Sequence, residues 1–303
     1  MSAMLRQHHW EKGVLYMVYS SFFLSLLNFN VKICIGPLGV IESTFLRYFT
    51  PLLALIPVLL WRKEWHELRI QAGVGMHLLR SVCAVTAQVF LNYYLTRGSL
   101  LNATVFWATG PIYVPIIVKL LFRQKTPLIT WVATLISLLG VAMMVKPTDG
   151  IFSLFSFWGF AAGISMAFTQ IVWGQNVEKG SVMENLFYLY LFSSVLAFLV
   201  WITIGETAFG SDRTPGTPLL WISIVSLAIT SIGNQLFRSK AYQQAPPYLL
   251  TPILYVAVVG SGILDILVYH NWPDVWGYCG FGLIAIGTLI KWWYLKKIGN
   301  QLL

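Results

Sequence analysis

Residues 128–145 read LITWVATLISLLGVAMMV, eighteen positions without one charged side chain. As a helix rising 1.5 Å per residue, the run is about 27 Å long, close to the ~30 Å hydrocarbon core of a bilayer. It has no two-residue alternation, which argues against a barrel strand. Outward from it, similar runs lie near residues 13–32, 41–61, 74–96, 100–122, 152–174, 183–204, 219–240, 248–269 and 275–295. The connections are short. The longest polar one, 205–218, carries the turn-forming Ser211-Asp212-Arg213-Thr214-Pro215-Gly216, and none has the length of a soluble domain. The pattern predicts an all-α membrane protein with ten transmembrane helices.

Composition agrees. Only 10% of the residues are charged, where a soluble domain carries about a quarter. The net charge of +9 raises nucleic acid as a partner, but the Lys and Arg residues sit in short loops and form no basic stripe with interleaved aromatics. No nucleic-acid partner is expected. Cys34, Cys83 and Cys279 are far apart and odd in number, so they read as packing residues rather than a disulfide framework. His8, His9, His66, His77 and His270 are scattered without metal spacing, and there is no Walker-type glycine loop. Neither metal nor cofactor is expected, and an enzyme is disfavoured. The first apolar run lacks a clear small-residue cleavage site and is read as the first helix rather than a signal peptide.

With the N-terminus inside, thirteen Lys and Arg residues fall on the cytoplasmic side, Arg238 and Lys291 counted among them, against four outside (Lys32, Arg97, Lys146, Arg213). The positive-inside rule therefore places both termini in the cytoplasm and the protein in the inner membrane. A weak internal repeat is also visible. Helix four, with Pro111 and Pro115, ends before Arg123-Gln124-Lys125-Thr126-Pro127, and helix nine, with Pro252, ends before His270-Asn271-Trp272-Pro273-Asp274. Repeats of five helices, 13–146 and 152–295, would enter the membrane from opposite sides, the inverted layout of many secondary transporters.

The order of these pieces resembles the EamA-type transporters of the drug/metabolite transporter superfamily over nearly the whole chain. The resemblance rests on Glu42-Ser43-Thr44-Phe45-Leu46-Arg47, Leu78-Leu79-Arg80, the run from Asn102-Ala103-Thr104 through Pro111 to Gln124, Trp131, Gly140-Val141 and Lys146-Pro147. The second half adds Lys240-Ala241-Tyr242, Thr251-Pro252-Ile253-Leu254-Tyr255 and Trp272-Pro273-Asp274. The two arginines and the second-half proline are most similar to the branch containing S-adenosylmethionine transporters. One departure is symmetric: Gln124 and Asn271 stand where the family usually has glutamate at the ends of helices four and nine. The resemblance implies a carrier of a small organic metabolite.

Ionisable side chains within spans are costly and therefore candidates for function. Arg47, Arg80 and Lys119 are the basic ones, with Asp265 the one acid well inside a span. The surplus of positive charge suggests a site for a carboxylate or phosphate. Snorkelling to the cytoplasmic surface is the competing reading for Arg80 and Lys119, and Asp265 is a candidate proton-coupling group. Amides at Asn28, Asn30, Gln88, Asn92, Gln170, Gln175, Asn234 and Gln235 should face the interior, where some would line a cavity with Tyr93, Trp107, Tyr113, Trp173 and Tyr255. The substrate-binding set drawn from these is Asn28, Arg47, Arg80, Gln88, Asn92, Trp107, Trp173 and Tyr255. Gly159-x-x-x-Gly163 permits close helix approach, by default within the chain and alternatively in a homodimer. The expected activity is secondary transport of an amino acid, nucleoside or S-adenosylmethionine-like compound, in contact with membrane lipids, as monomer or homodimer. A channel-like or lipid-translocating protein is the alternative.

Overall fold

The computed structural model describes residues 10–62, 65–95, 105–123, 126–145, 154–204, 218–270 and 272–302, which form helices and no strand. The long helices are α1 (Trp10–Leu38), α2 (Val40–Arg62), α3 (Val74–Leu95), α4 (Gly110–Phe122), α5 (Leu128–Val145), α6 (Phe157–Lys179), α7 (Val182–Ile204), α8 (Pro218–Gln244), α9 (Val256–Tyr269) and α10 (Val275–Leu302). Turn chemistry sets several boundaries. Gly39, with φ of +79°, makes the reversal between α1 and α2 that a side chain would strain. Asp274 caps α10 by accepting the Gly277 N–H at 3.1 Å.

Among the described residues, eight segments are long and apolar enough to cross a membrane, where the sequence predicts ten. The other two helices fall short for different reasons. In α5 the apolar helix, Leu128–Met144, is shorter than a full span. In α6 the length is 23 residues, but Thr169, Gln170, Gln175 and Asn176 make it polar. Residues 169–174 of α6 are all buried, so this helix is enclosed on every side there rather than facing lipid.

The helix pairings follow a pattern. α5 packs on α10, and α2 on α7. Each remaining major pairing has a counterpart when helix n is exchanged for helix n+5: α1·α8 with α3·α6, α1·α9 with α4·α6, and α2·α8 with α3·α7. The ends of α4 and α9 correspond as well, since Arg123 and His270 both adopt a φ of +52°. Glycines bring the helices close. A Cβ on Gly140 of α5 would sit 2.7 Å from the Gly280 carbonyl oxygen of α10. One on Gly163 would approach Thr109 Oγ1 to 2.6 Å, so the Gly159-x-x-x-Gly163 face is used within the chain, against the segment leading into α4.

The approaches to α4 and α9 are both interrupted, whereas α1 and α2 run through Pro37 and through Pro51 and Pro57 unbroken. Before α4, a short helical segment from residue 105 breaks at Thr109, and the Ile112 N–H bonds to Thr109 C=O at 2.9 Å, closer in sequence than an α-helical bond. Before α9, a helical turn at Pro247–Leu250 passes into a 3₁₀ segment, Thr251–Tyr255, as the Pro252 ring denies the chain a regular turn. The two breaks touch, because the Tyr255 hydroxyl donates to Ala108 C=O at 2.6 Å. From α1, the Ser21 hydroxyl donates to Ile253 C=O at 3.3 Å and that of Ser25 to Ala257 C=O at 2.9 Å. Carbonyls around the second break are thereby satisfied without water, as a membrane interior requires.

Candidate functional site: a buried cationic centre

Trp173 of α6 is 2% exposed, and two guanidinium groups lie over its indole. The Arg80 Cζ is 4.0 Å from the ring centroid and the Arg238 Cζ 5.2 Å. Each of the three residues sits six positions from the end of its helix (Val74, Lys179 and Gln244), about 9 Å along the axis. Since α3 runs opposite to α6 and α8, the three meet at one level, roughly a third of the way into the bundle.

Their polar partners are neutral. Arg80 donates through its terminal nitrogens to the Asn185 carbonyl at 3.2 Å and to Gln235 Oε1 at 2.9 Å. Its Nε is buried with no acceptor. Arg238 donates through Nε to Ser20 Oγ at 3.1 Å and through a terminal nitrogen to Asn234 Oδ1 at 2.9 Å, which also accepts the Ser20 hydroxyl. The Trp173 indole N–H donates to Ser239 Oγ at 2.9 Å, and the Tyr242 hydroxyl donates to Gln170 Oε1 at 3.0 Å with its ring edge-on to Trp173. Arg47, half-buried on α2, is near enough for its charge to act on Arg238, Tyr48 and Tyr190. Burying a cation costs several kcal/mol unless it is paired. Here amide, hydroxyl and π-face dipoles offset part of that cost, and no acid among the described side chains neutralises the charge.

One turn before Arg80, a second polar cluster is built differently. Glu184 Oε1 accepts from the Gln71 N–H at 2.9 Å, the Ala72 N–H at 3.1 Å and His77 Nε2 at 2.7 Å. Its Oε2 accepts the Ser181 N–H at 3.3 Å, while the Ser181 hydroxyl accepts the Glu184 N–H at 2.9 Å, a reciprocal cap on α7. His77–Glu184 is the one ion pair found among the described residues.

Of the residues singled out from the sequence, the structure brings Arg80 and Trp173 into contact, with Arg47 nearby. Gln88 is half-buried two turns further along α3, and Trp107 is half-buried in the segment before α4. Tyr255 is buried and engaged with Ala108, and Asn28 is exposed on α1. The side chains of Asn92 and Asp265 lie outside the described residues, as do Gln124 and Asn271. Snorkelling fails for Arg80, which is 1% exposed because Asn185 and Gln235 hold its head inside; Lys119 is exposed.

Arg238 and Lys291, counted as cytoplasmic surface charges, are both buried, Lys291 donating to Thr130 Oγ1 between α10 and α5. Without them the orientation count is eleven to four, and its sign holds. Where the sequence offered Asp265 as the one acid well inside a span, Glu184 in the first turn of α7 is fully enclosed. Arg238 was legible in retrospect from its i,i+4 relation to Asn234 inside an apolar run. Ser20, Tyr242 and Ser239 carried no such signal.

The profile of the EamA-like transporter family matches residues 11–146 and again 154–292. The chain belongs to the EamA-like transporter family. It is thus a multi-pass membrane protein of the drug/metabolite transporter superfamily, and its relatives are named as transporters. The pseudopaline exporter CntI of Pseudomonas aeruginosa (strain UCBPP-PA14) is 25% identical over 92% of this chain and 95% of its own. Solute carrier family 35 member G1 of Mus musculus is 24% identical over 91% and 77%. The S-adenosylmethionine uptake transporter of Rickettsia prowazekii is 23% identical over 84% of each. The same fold is seen in a solved crystal structure that superposes with a TM-score of 0.78, covering 95% of this chain and 99% of that one at 15% identity.

Proposed function

We propose that the chain is a secondary transporter that carries a small organic metabolite across the inner membrane by alternating access. The observation that carries this reading is the buried centre of Arg80, Trp173 and Arg238, where α3, α6 and α8 meet and α1 contributes Ser20. A membrane protein that needed only to pack would not retain unneutralised cations there. The centre is a binding site for substrate, with Arg47, Asn28, Gln88, Asn92, Trp107 and Tyr255 as further substrate-binding candidates. Asp265 is the proton-coupling candidate.

The matching of helix pairs under exchange of n with n+5 supports two inverted repeats, 13–146 and 152–295, and ten spans, and the Lys and Arg bias supports cytoplasmic termini. The interrupted helices leading into α4 and α9 supply the bending points that rocking of the repeats requires. An amino acid, a nucleoside and an S-adenosylmethionine-like compound are the substrate classes to separate. Protein reconstituted in liposomes should show saturable uptake and counterflow of one of them, lost in Arg80→Gln. Flux that never saturates, or lipid scrambling without solute exchange, would replace the carrier by a channel or lipid-moving protein.

A further inference from the structure

Resting on the reading of the arginine centre as the substrate site, we infer that the transported molecule is a compact dianion, bearing two carboxylates or a carboxylate and a phosphoryl group. The first ground is charge. Arg80 and Arg238 are buried with neutral partners, and Arg47 adds a third positive charge within electrostatic reach. Among the acids whose side chains are described, Glu184 is the buried one, and it is held by His77 and three backbone N–H groups. Even if Asp265 is credited to Arg47, two positive charges remain. A zwitterion leaves both in place, a monocarboxylate leaves one, and a net cation adds to the total. A dianion cancels them.

The second ground is hydrogen bonding. A guanidinium has five N–H donors. Two on each arginine are used, by a carbonyl, an amide or a hydroxyl, and the buried Arg80 Nε has no acceptor. A carboxylate or phosphoryl oxygen supplies the charged acceptor that such a fork binds more strongly than a neutral amide. The third ground is reach. Both guanidinium carbons lie over one indole at 4.0 and 5.2 Å from its centroid, so they are no farther apart than the sum of those distances, about 9 Å. One small molecule spans that gap, with its backbone against Trp173. The S-adenosylmethionine-like class, cationic overall, is the one this centre disfavours most, and a neutral nucleoside or a zwitterionic amino acid leaves both positive charges in place.

The experiment uses ligands matched in skeleton, on the purified full-length chain. Glutarate is compared with its monoamide and diamide, 3-phosphoglycerate with glycerate, and S-adenosylmethionine serves as the cationic probe. Thermal stabilisation and calorimetry should rank one dianion at least about tenfold tighter than its monoanionic analogue, the discrimination that a lost charge-assisted contact brings. Glutarate and 3-phosphoglycerate separate the dicarboxylate from the phosphorylated form. Arg80→Gln and Arg238→Gln, checked for retained helicity and monodispersity, should each bring the ratio toward one.

A wild-type ratio near one, tighter binding of the diamide or of S-adenosylmethionine, no binding of either dianion, or a ratio unchanged in both variants overturns the inference. The underlying transporter reading fails separately. A dianion that binds with the expected ratio but shows no counterflow in liposomes would sink transport and leave only the dianion preference of the site standing. Saturable exchange of a neutral or cationic solute would do the reverse.

Discussion

Two polar clusters stand one helical turn apart on α3, and they solve the problem of buried charge in opposite ways. At His77, the carboxylate of Glu184 is surrounded by donors: a ring nitrogen and three backbone N–H groups, two from the α2–α3 connection and one from the start of α7. At Arg80 the charge is a cation, its acceptors are uncharged, and one nitrogen has none. Even the anchors are neighbours, since His77 bonds to the Glu184 side chain and Arg80 to the Asn185 carbonyl. In the first cluster the carboxylate is fully met without a ligand, although His77 Nδ1 is buried with no partner, and the cluster ties two connections together. The second is incomplete, and completion has to come from outside the chain. Burial alone therefore does not separate a structural charge from a functional one; the state of its partners does.

The largest expected effect tests the complete cluster. Glu184→Ala leaves three backbone donors and His77 without an acceptor and should cost about 3–5 kcal/mol, the usual loss when one member of a buried pair is removed. A thermal or denaturant melt in a mild detergent reads this directly. If the loss were under about 1 kcal/mol, the cluster would be reached by water and its contrast with Arg80 would vanish.

The incomplete cluster should respond with the other sign. Arg80→Met removes a cation that no described residue neutralises, so the ligand-free protein should be unchanged or more stable, by up to roughly 2 kcal/mol, as replacements of buried charge by apolar groups often are. The same variant should lose binding. Measured in the same melt as Glu184→Ala, a drop of similar size would make Arg80 a structural residue and remove the basis for a site at Trp173.

How far the sequence anticipated this follows from what each signal depends on. Long apolar runs reveal helices because lipid demands them locally, and every expected run meets a helix in the structure. Depth is harder to read. Arg238 lies six residues from the end of α8 and looks like a surface charge until α1 and α6 close over it. Glu184 resembles an ordinary first-turn capping acid, and its engagement with the α2–α3 connection is a contact across more than a hundred residues. The arginine of α3 and the tryptophan of α6 could each be singled out by residue type within a span. Their stacking, and the absence of a described acid beside them, arise only when α3, α6 and α8 assemble.

The smallest effect concerns a contact that is neutral on both sides, the Tyr255 hydroxyl on Ala108 C=O between the two interrupted helices. It lies between the extremes of the comparison: satisfied like Glu184, but with a single bond and no charge. Tyr255→Phe should cost about 1 kcal/mol, the net worth of one such bond with a little added for the carbonyl left bare. Because the Ile112 N–H already bonds to Thr109, that carbonyl has no ready substitute. If the melt shows no loss at all, Ile112 must have returned to Ala108 and closed the break before α4. Hydrogen exchange at the Ile112 amide distinguishes the two outcomes: faster exchange in the variant if the break persists, slower if it heals. A healed break would mean that the bend in this helix is imposed by its partner helix rather than by Pro111, and that the two interruptions hold each other open.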